Sequence, residues 1–481
     1  MTPPGATSAR SGAGAAPVAG PAGPLAPLPA DVRLVLDPGV RRHRDGRVLV
    51  GGAPLRALRL TPAGRAAVEA LLAGEAHGEA ARTLGRRLVD AGLAHPRPPA
   101  SPRLADVTVV VPVRDRPAAL DRCLAAVGAG VPVVVVDDGS AEPAGVRTVA
   151  LRHGATVLRR EPSGGPAAAR NAALAAVATA LVAFLDSDCA PEPGWLTTTA
   201  AHFADPLVGA VAPRVQPEAV RRGAPARKRY AEARSPLDMG GRGSAVVPGG
   251  RVPYVPTAAL VVRRTALGDG FDAGLRHGED VDLVWRLHDA GWRVRLEPRA
   301  TVRHAEPDTW RALLARRHAY GTSAAPLSRR HPGRLAPLAV RPGAAAVAAL
   351  LLAPRPRSAA ALAAVQGAAL ARRLRRTGVP AATALPWPAR AGADTLVGVG
   401  RAATMLAGPA LVAALCVRRA RVPAIALLAA PPLHEWARRR PRLDPVRWTA
   451  ACVADDVAYG LGVWRGCLVH RTAAPLRPRW R

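Results

Sequence analysis

Asparagine, lysine and isoleucine each occur once in 481 residues, as Asn171, Lys228 and Ile425, and phenylalanine, tyrosine and methionine are nearly as scarce. Alanine, glycine, proline, arginine and valine fill the space. The missing residues are those with AT-rich codons, so the pattern is that of a GC-rich genome. Such a bias removes a residue wherever a substitute serves. The one asparagine is therefore a candidate for a position that admits no substitute, with chance survival as the plain alternative.

Cysteine is also sparse. Cys123, Cys189, Cys416, Cys452 and Cys467 form no Cys-x-x-Cys pair and no metal-finger spacing. That fits a reduced, cytosolic setting with the thiols as small hydrophobes. Residues 1–30 lack the apolar run of a signal peptide; Ala, Gly and Pro with a single arginine predict a disordered tail. Acidic residues are outnumbered throughout, giving a net charge of +32. From Thr309 onward 28 arginines face five acids, so that segment alone carries +23. Charge of this kind calls for an anionic partner, lipid headgroups or nucleic acid. The basic segment lacks the aromatic interleaving that stacks bases, and no nucleic-acid-binding module is present, so a membrane surface is the expected partner.

What is present divides into four regions. After the tail, residues 31–98 alternate short strands and turns ("VRLVLDPGVRRHRDGRVLVGG") before two helices. The first helix is predicted to start at Thr61 as N-cap with Pro62 behind it and to stop at Gly74. "HPRPPASPR" reads as a linker. Residues 104–308 repeat β-branched runs without polar alternation, "VTVVVPV", "VPVVVVDD" and "LVAFLD", separated by helical spacing. Strands buried on both faces look like this, and the β-α-β-α order predicts a mostly parallel, Rossmann-like α/β sheet. Residues 309–481 are Ala-rich and helical, and the apolar stretch 396–417, interrupted by Arg401 and Pro409, is either a buried helical pair or a membrane span.

In such sheets ligands gather at the carboxyl ends of the strands. Asp137 and Asp138 end one strand, where a carboxylate can accept imide and ribose protons of a nucleotide or close a Gly turn. Asp186 and Asp188, in "LDSD", end another and suit Mg²⁺ or Mn²⁺. Arg170 and Asn171 lie on the helix between, one a fork shaped for phosphate or carboxylate and the other an amide able to donate and accept at once. Glu279 and Asp280 open a later helix with an apolar stripe of Val281, Val284, Trp285 and His288. The helix N-terminus is expected to keep Asp280 ionised. His304 follows one more strand, where an ordinary surface histidine is the plain reading.

Taken in order, "VTVVVPVRDRP", "VVVVDDGS", "GGPAAARNAAL", "LVAFLDSDCAP" and "HGEDVDLVWRLHDAGWRV" resemble the family 2 glycosyltransferases of GT-A fold over about 200 residues. The resemblance implies a metal-dependent, inverting transferase. Asp280 with Glu279 would supply the base, Asp137, Asp138, Arg170, Asn171 and Asp186 would hold a UDP-sugar, and Asp186, Asp188 and His304 would hold the cation. The 31–98 region resembles PqqD-like, winged-helix-like peptide-recognition domains, which implies contact with a peptide or its maturation proteins. The combination is similar to the glycosyltransferases of mycofactocin systems, whose acceptor is a peptide-derived redox cofactor carrying a short β-1,4-glucan-like chain. No Gln-x-x-Arg-Trp motif follows the base helix, a departure from the processive cellulose-synthase branch. Cell-envelope polysaccharide or glycolipid synthesis, and a non-catalytic basic scaffold, are the competing readings. A nucleotide-sugar donor and the basic tail together imply work at the cytoplasmic face of the membrane.

Overall fold

The computed structural model describes residue 20 and residues 26–75, 78–99, 104–221, 223–353 and 355–480. Most of the expected tail, residues 1–19 and 21–25, lies outside them. Residues 26–30 are not tail. Leu28 is 1% exposed in the core of the small domain, and Arg86 Nε donates to Ala26 O at 2.9 Å.

The small domain forms as its turn residues dictate. A three-stranded sheet (Arg41–His43, Val48–Gly51, Arg56–Arg59) precedes two helices, Pro62–Ala73 and Glu79–Asp90. Thr61 Oγ1 accepts from Gly64 N, and Gly74 ends the first helix at φ +88°. Strand Arg33–Leu36 pairs antiparallel with Ala94–Arg97. The expected linker therefore begins later, because His95 is buried in that strand against Asp37; residues 100–103 lie outside the description. Ion pairs mount this domain on its neighbour. Arg86 grips Asp205 with both guanidinium nitrogens (2.6 and 2.8 Å), and Arg293 does the same to Asp90.

The central domain carries nine strands: β1 (Val107–Val113), β2 (Val133–Asp138), β3 (Thr156–Arg160), β4 (Leu181–Leu185), β5 (Cys189–Pro191), β6 (Val208–Pro217), β7 (Ser244–Ala245), β8 (Ala259–Arg263) and β9 (Arg293–His304). Their order is β5-β9-β6-β8-β4-β1-β2-β3, with β7 on the side of β9. The half β4-β1-β2-β3 is wholly parallel, β6 and β9 run parallel, and β8 is antiparallel to β4 and β6. Alternate residues of β1 enter two different cores: Val107, Val109 and Val111 face Leu120 and Val146, while Val110 faces Phe184 and Ala169. Two buried faces explain the unbroken valine runs. Helices α1 (Gly165–Ala176) and α2 (Glu279–Asp289) flank the strand ends.

Beyond the sheet, α3 (Trp310–Thr322), α4 (Trp387–Ala414), α5 (Arg421–Arg439) and α6 (Pro445–Val469) dominate a helical layer. Helix α6 lies against α3 at backbone distance, since a Cβ on Gly321, Gly462 or Gly466 would strike a facing carbonyl. Arg234 reaches Asp455 (3.1 Å) and Asp456 (2.9 Å), and Arg317 reaches Asp455 (2.6 Å). The layer is thus keyed to the central domain. The stretch 396–417 runs as one helix to Ala414, kinked at Ala407 ahead of Pro409, with Arg401 paired to Glu435.

Candidate active site

Three chain segments, two of them 16 residues apart and the third 109 residues from the first, meet at one place, and Arg170 joins them. Fixed on α1 and 3% exposed, it donates from Nη2 to Asp186 Oδ1 at 2.7 Å and from Nη1 to Glu279 Oε1 at 2.9 Å. Its guanidinium also lies 5.4 Å from the centre of the Phe271 ring. Burial works against the charge, but Asp186 and then Glu279 outweigh it and hold Arg170 protonated. Of the two partners open to the fork, phosphate or carboxylate, it is committed to two carboxylates of the chain rather than left free for a donor. Glu279, expected beside the base, is 7% exposed and serves as that arginine's partner.

Asn171 is committed too. Its Nδ2 donates to Phe271 O at 2.7 Å, and Phe271 N donates to its Oδ1 at 2.8 Å. The amide closes a two-bond clip on backbone 100 residues away, in the loop that leads to α2. Gly270, at φ +77°, allows the approach, because a Cβ there would collide with Asn171 Oδ1. Asn171 was expected to touch the donor; both ends of its amide are used up by Phe271. Only an amide donates and accepts in this geometry, and the position admits no ordinary substitute.

Asp137 and Asp138 are likewise saturated by the chain. Asp137 Oδ1 accepts from Ser140 N (2.9 Å) and Oδ2 from Arg159 (2.6 Å). Asp138 is paired with Arg160 and accepts from Ser163 Oγ (2.8 Å), Gly164 N (3.1 Å) and Gly165 N (2.7 Å). Burial opposes its charge, yet these donors hold the carboxyl below its usual range. The pair shapes the loop at the start of α1. Arg159 and Arg160 went unnoticed in the sequence, although the parallel register sets "RR" of β3 directly beside "DD" of β2. Asp115 was also missed: at φ +55° it accepts from Ala141 N (2.7 Å) and ties the loops after β1 and β2 together.

Of the three metal-ligand candidates, two come together. Pairing of β5 with β9 sets Cys189 opposite His304, bringing His304 Nε2 to 3.6 Å from Asp188 Oδ1. His304 ends a 12-residue strand and is 4% exposed, so it is no surface histidine. Burial disfavours its charge, but Glu306 (3.7 Å from Nδ1) and Asp188 hold it above its usual range. Asp186 is held apart by Arg170, and among the described residues no three ligating side chains form a ready cluster. Carboxylate and imidazole at this spacing fit two neighbouring positions around one divalent cation, with Glu306 as the orienting partner behind the imidazole. Arg116 donates to Asp188 Oδ2 at 3.1 Å.

Asp280 differs from all of these. Val281 N donates to its Oδ1 at 2.8 Å, and no arginine pairs with it among the described residues. The helix N-terminus was expected to keep it ionised. Burial wins, helped by the charge of Glu279, and lifts the carboxyl to about 7. The stripe expected on α2 holds at its centre, where Val284 and Trp285 are buried, but its ends Val281 and His288 are only partly buried; Leu283 and Leu287 join the core, and buried Asp282 accepts from Arg286 (2.8 Å) and pairs with His331 (2.9 Å). A half-buried carboxyl that no arginine pairs with among the described residues, poised near neutrality, can take a proton from a hydroxyl.

Comparison with known proteins follows the same lines. Residues 108–271 match the model of glycosyl transferase family 2. Over 477 residues the chain is 39% identical to the pre-mycofactocin glycosyltransferase of Mycobacterium tuberculosis H37Rv, covering 94% of this chain and 99% of that one. An uncharacterized glycosyltransferase of Mycobacterium bovis is 33% identical over 195 residues, 39% of this chain and 81% of its own. Among solved structures, a mannosyltransferase of Pyrobaculum calidifontis in complex with GDP-Man and Mn²⁺ is 20% identical with a TM-score of 0.44, over 77% of this chain and 90% of that one. The fold is that of GT-A glycosyltransferases, a mostly parallel sheet followed by a helical region.

Proposed function

The chain belongs to the pre-mycofactocin glycosyltransferase family, and on that footing we propose that it moves glucose from UDP-glucose onto a hydroxyl of pre-mycofactocin, a peptide-derived redox cofactor precursor. The observation that carries the chemistry is Asp280, the one acid of the motif set that no arginine neutralises. In its ionised form it takes the acceptor hydroxyl's proton as the oxygen attacks the anomeric carbon and the UDP leaves on the opposite face. A single displacement inverts the anomeric centre, and repetition on a glucose hydroxyl gives a short β-1,4-glucan-like chain. Arg170 and the Asn171 clip hold the Asp280 turn still, which keeps the base within reach of that hydroxyl.

Asp188 and His304 would hold Mg²⁺ or Mn²⁺. Bound there, the cation would offset the negative charge of the departing diphosphate. Purified protein given UDP-glucose, Mn²⁺ and pre-mycofactocin should yield a product one hexose heavier with a β-anomeric proton; no mass shift with any hexose donor rejects the reading.

Two further readings accompany it. The small domain, resembling PqqD-like modules, would recognise the peptide or its maturation proteins. The helical layer would rest on the anionic cytoplasmic face of the membrane. Val412, Val417, Val422, Ile425, Leu468 and Val469 are 47–74% exposed beside the arginine clusters, and Ala381–Ala414 is long and apolar enough to cross a membrane by length and composition. Each arginine near such a surface contributes about 1 kcal/mol, so a handful suffices.

A further inference from the structure

Only four tyrosines occur in the chain, Tyr230, Tyr254, Tyr320 and Tyr459. Tyr230 is buried, and its hydroxyl donates to Asp455 at 2.9 Å. The other three come together from three separate segments: Tyr254 and Tyr320 lie near Asp280, and Tyr459 lies near Tyr254. Tyr254 lies ahead of β8, where Trp285 of α2 fastens its neighbour by donating Nε1 to Pro253 O at 2.8 Å. Tyr320, near the end of α3, meets His277 edge-on at 6.4 Å, and Gly278 next along the chain abuts Ser323. Tyr459 sits on α6 where its carbonyl abuts Gly321, and its ring carries the Arg317 guanidinium at 5.4 Å.

None of these three hydroxyls has a hydrogen-bond partner among the described residues, and each side chain is only partly buried. They are not sealed orphans either, so solvent reaches them. Burial raises all three phenols, and Asp280 is near enough to add to the rise at Tyr254 and Tyr320. At neutral pH they are therefore protonated donors. A chain that has lost tyrosine almost everywhere keeps two beside this carboxylate and a third next to them, and bonds none of the three among the described residues.

We propose that Tyr254, Tyr320 and Tyr459 form the acceptor subsite, stacking on a ring of the acceptor and bonding its hydroxyls so that one faces Asp280. The ligand class is a cyclic, hydroxyl-bearing molecule; aromatic faces cover its ring and phenols answer its polar edge. Tyr320 and Tyr459 come from α3 and α6, so the helical region completes the active site as well as flanking it. The subsite rests on the transferase reading given above.

The test uses the full chain with Tyr254→Phe, Tyr320→Phe and Tyr459→Phe, singly and combined, with pre-mycofactocin as acceptor and UDP-glucose with Mn²⁺ as donor. Losing one hydroxyl while keeping the ring should raise the acceptor KM about five- to tenfold, with kcat within about twofold and the Kd for UDP unchanged. Tyr320→Ala, which also removes a ring face, should raise it further. Unchanged acceptor KM in the singles and the triple variant, with wild-type transfer intact, overturns the subsite and leaves the transferase reading standing. Equal rises in acceptor KM and UDP Kd overturn it as well, since they mark a structural role. A wild-type chain that binds UDP-glucose but transfers to no acceptor overturns the transferase reading, and the subsite with it.

Discussion

Replacing Asn171 with alanine tests the chain's most specific contact. Two hydrogen bonds of 2.7 and 2.8 Å vanish, and Phe271 N–H and C=O are left facing a methyl group. An unsatisfied buried group costs about 1–3 kcal/mol, so the two together should cost about 2–6 kcal/mol. In a domain of about 200 residues that lowers Tm by about 5–15 °C. The loop that Asn171 holds leads straight to Glu279 and Asp280, and a base displaced by a fraction of an ångström should lower kcat about tenfold. Scanning calorimetry and donor kinetics on the same preparation measure both. Asn171→Asp adds a control that keeps size and shape. Its carboxyl would face Phe271 O, which raises its folded-state pKa above the ordinary value of about 3.9. Protonated, it can still donate to that carbonyl; ionised, it cannot. A raised folded pKa means stability present at low pH and lost as pH climbs, so the deficit relative to wild type should grow from about pH 4 to neutrality. An alanine variant with Tm within about 1 °C of wild type and unchanged kinetics refutes the clip and returns Asn171 to chance survival.

Three other outcomes are expected. Asp280→Asn should lower kcat by about 10²–10⁴-fold while UDP binding survives, and wild-type kcat should rise as pH passes through about 7, where the base ionises; a rate flat from pH 5 to 9 contradicts the assignment. Arg170→Met leaves Glu279 and Asp186 facing each other without their shared cation, and equilibrium unfolding should show a loss of about 3–5 kcal/mol. Wild-type protein should sediment with anionic vesicles at low salt; release at high salt indicates surface attachment, retention until detergent indicates insertion, and full solubility beside the vesicles refutes the membrane reading.

Much of this fold was legible in the residues. Thr61, Pro62 and Gly74 bounded their helix as read, because capping is local chemistry. The valine runs announced a sheet covered on both faces, and the strand ends marked where carboxylates gather. Asn171 was singled out by its scarcity and by the motif around it. What it does was not legible, because its partner is backbone that any residue at position 271 would supply. The same holds for Arg170, whose fork could have met a phosphate but meets two of the chain's own carboxylates. Asp280 was read from its helix dipole, a local effect, whereas its protonation follows from burial and the charge of Glu279, which only packing creates.

By itself, then, the sequence determined the elements, their order and the set of side chains able to do chemistry, since propensity, capping and alternation act over a few residues. The tertiary structure decided which of those side chains neutralise one another and which is left free. It joined Asp188 to His304 through β5–β9 pairing, set Arg159 and Arg160 beside Asp137 and Asp138, and brought two distant tyrosines to one carboxyl with a third beside them. Charge pairing falls off over a few ångströms in space and takes no account of separation along the chain, so partners 100 residues apart become neighbours only once the sheet has closed.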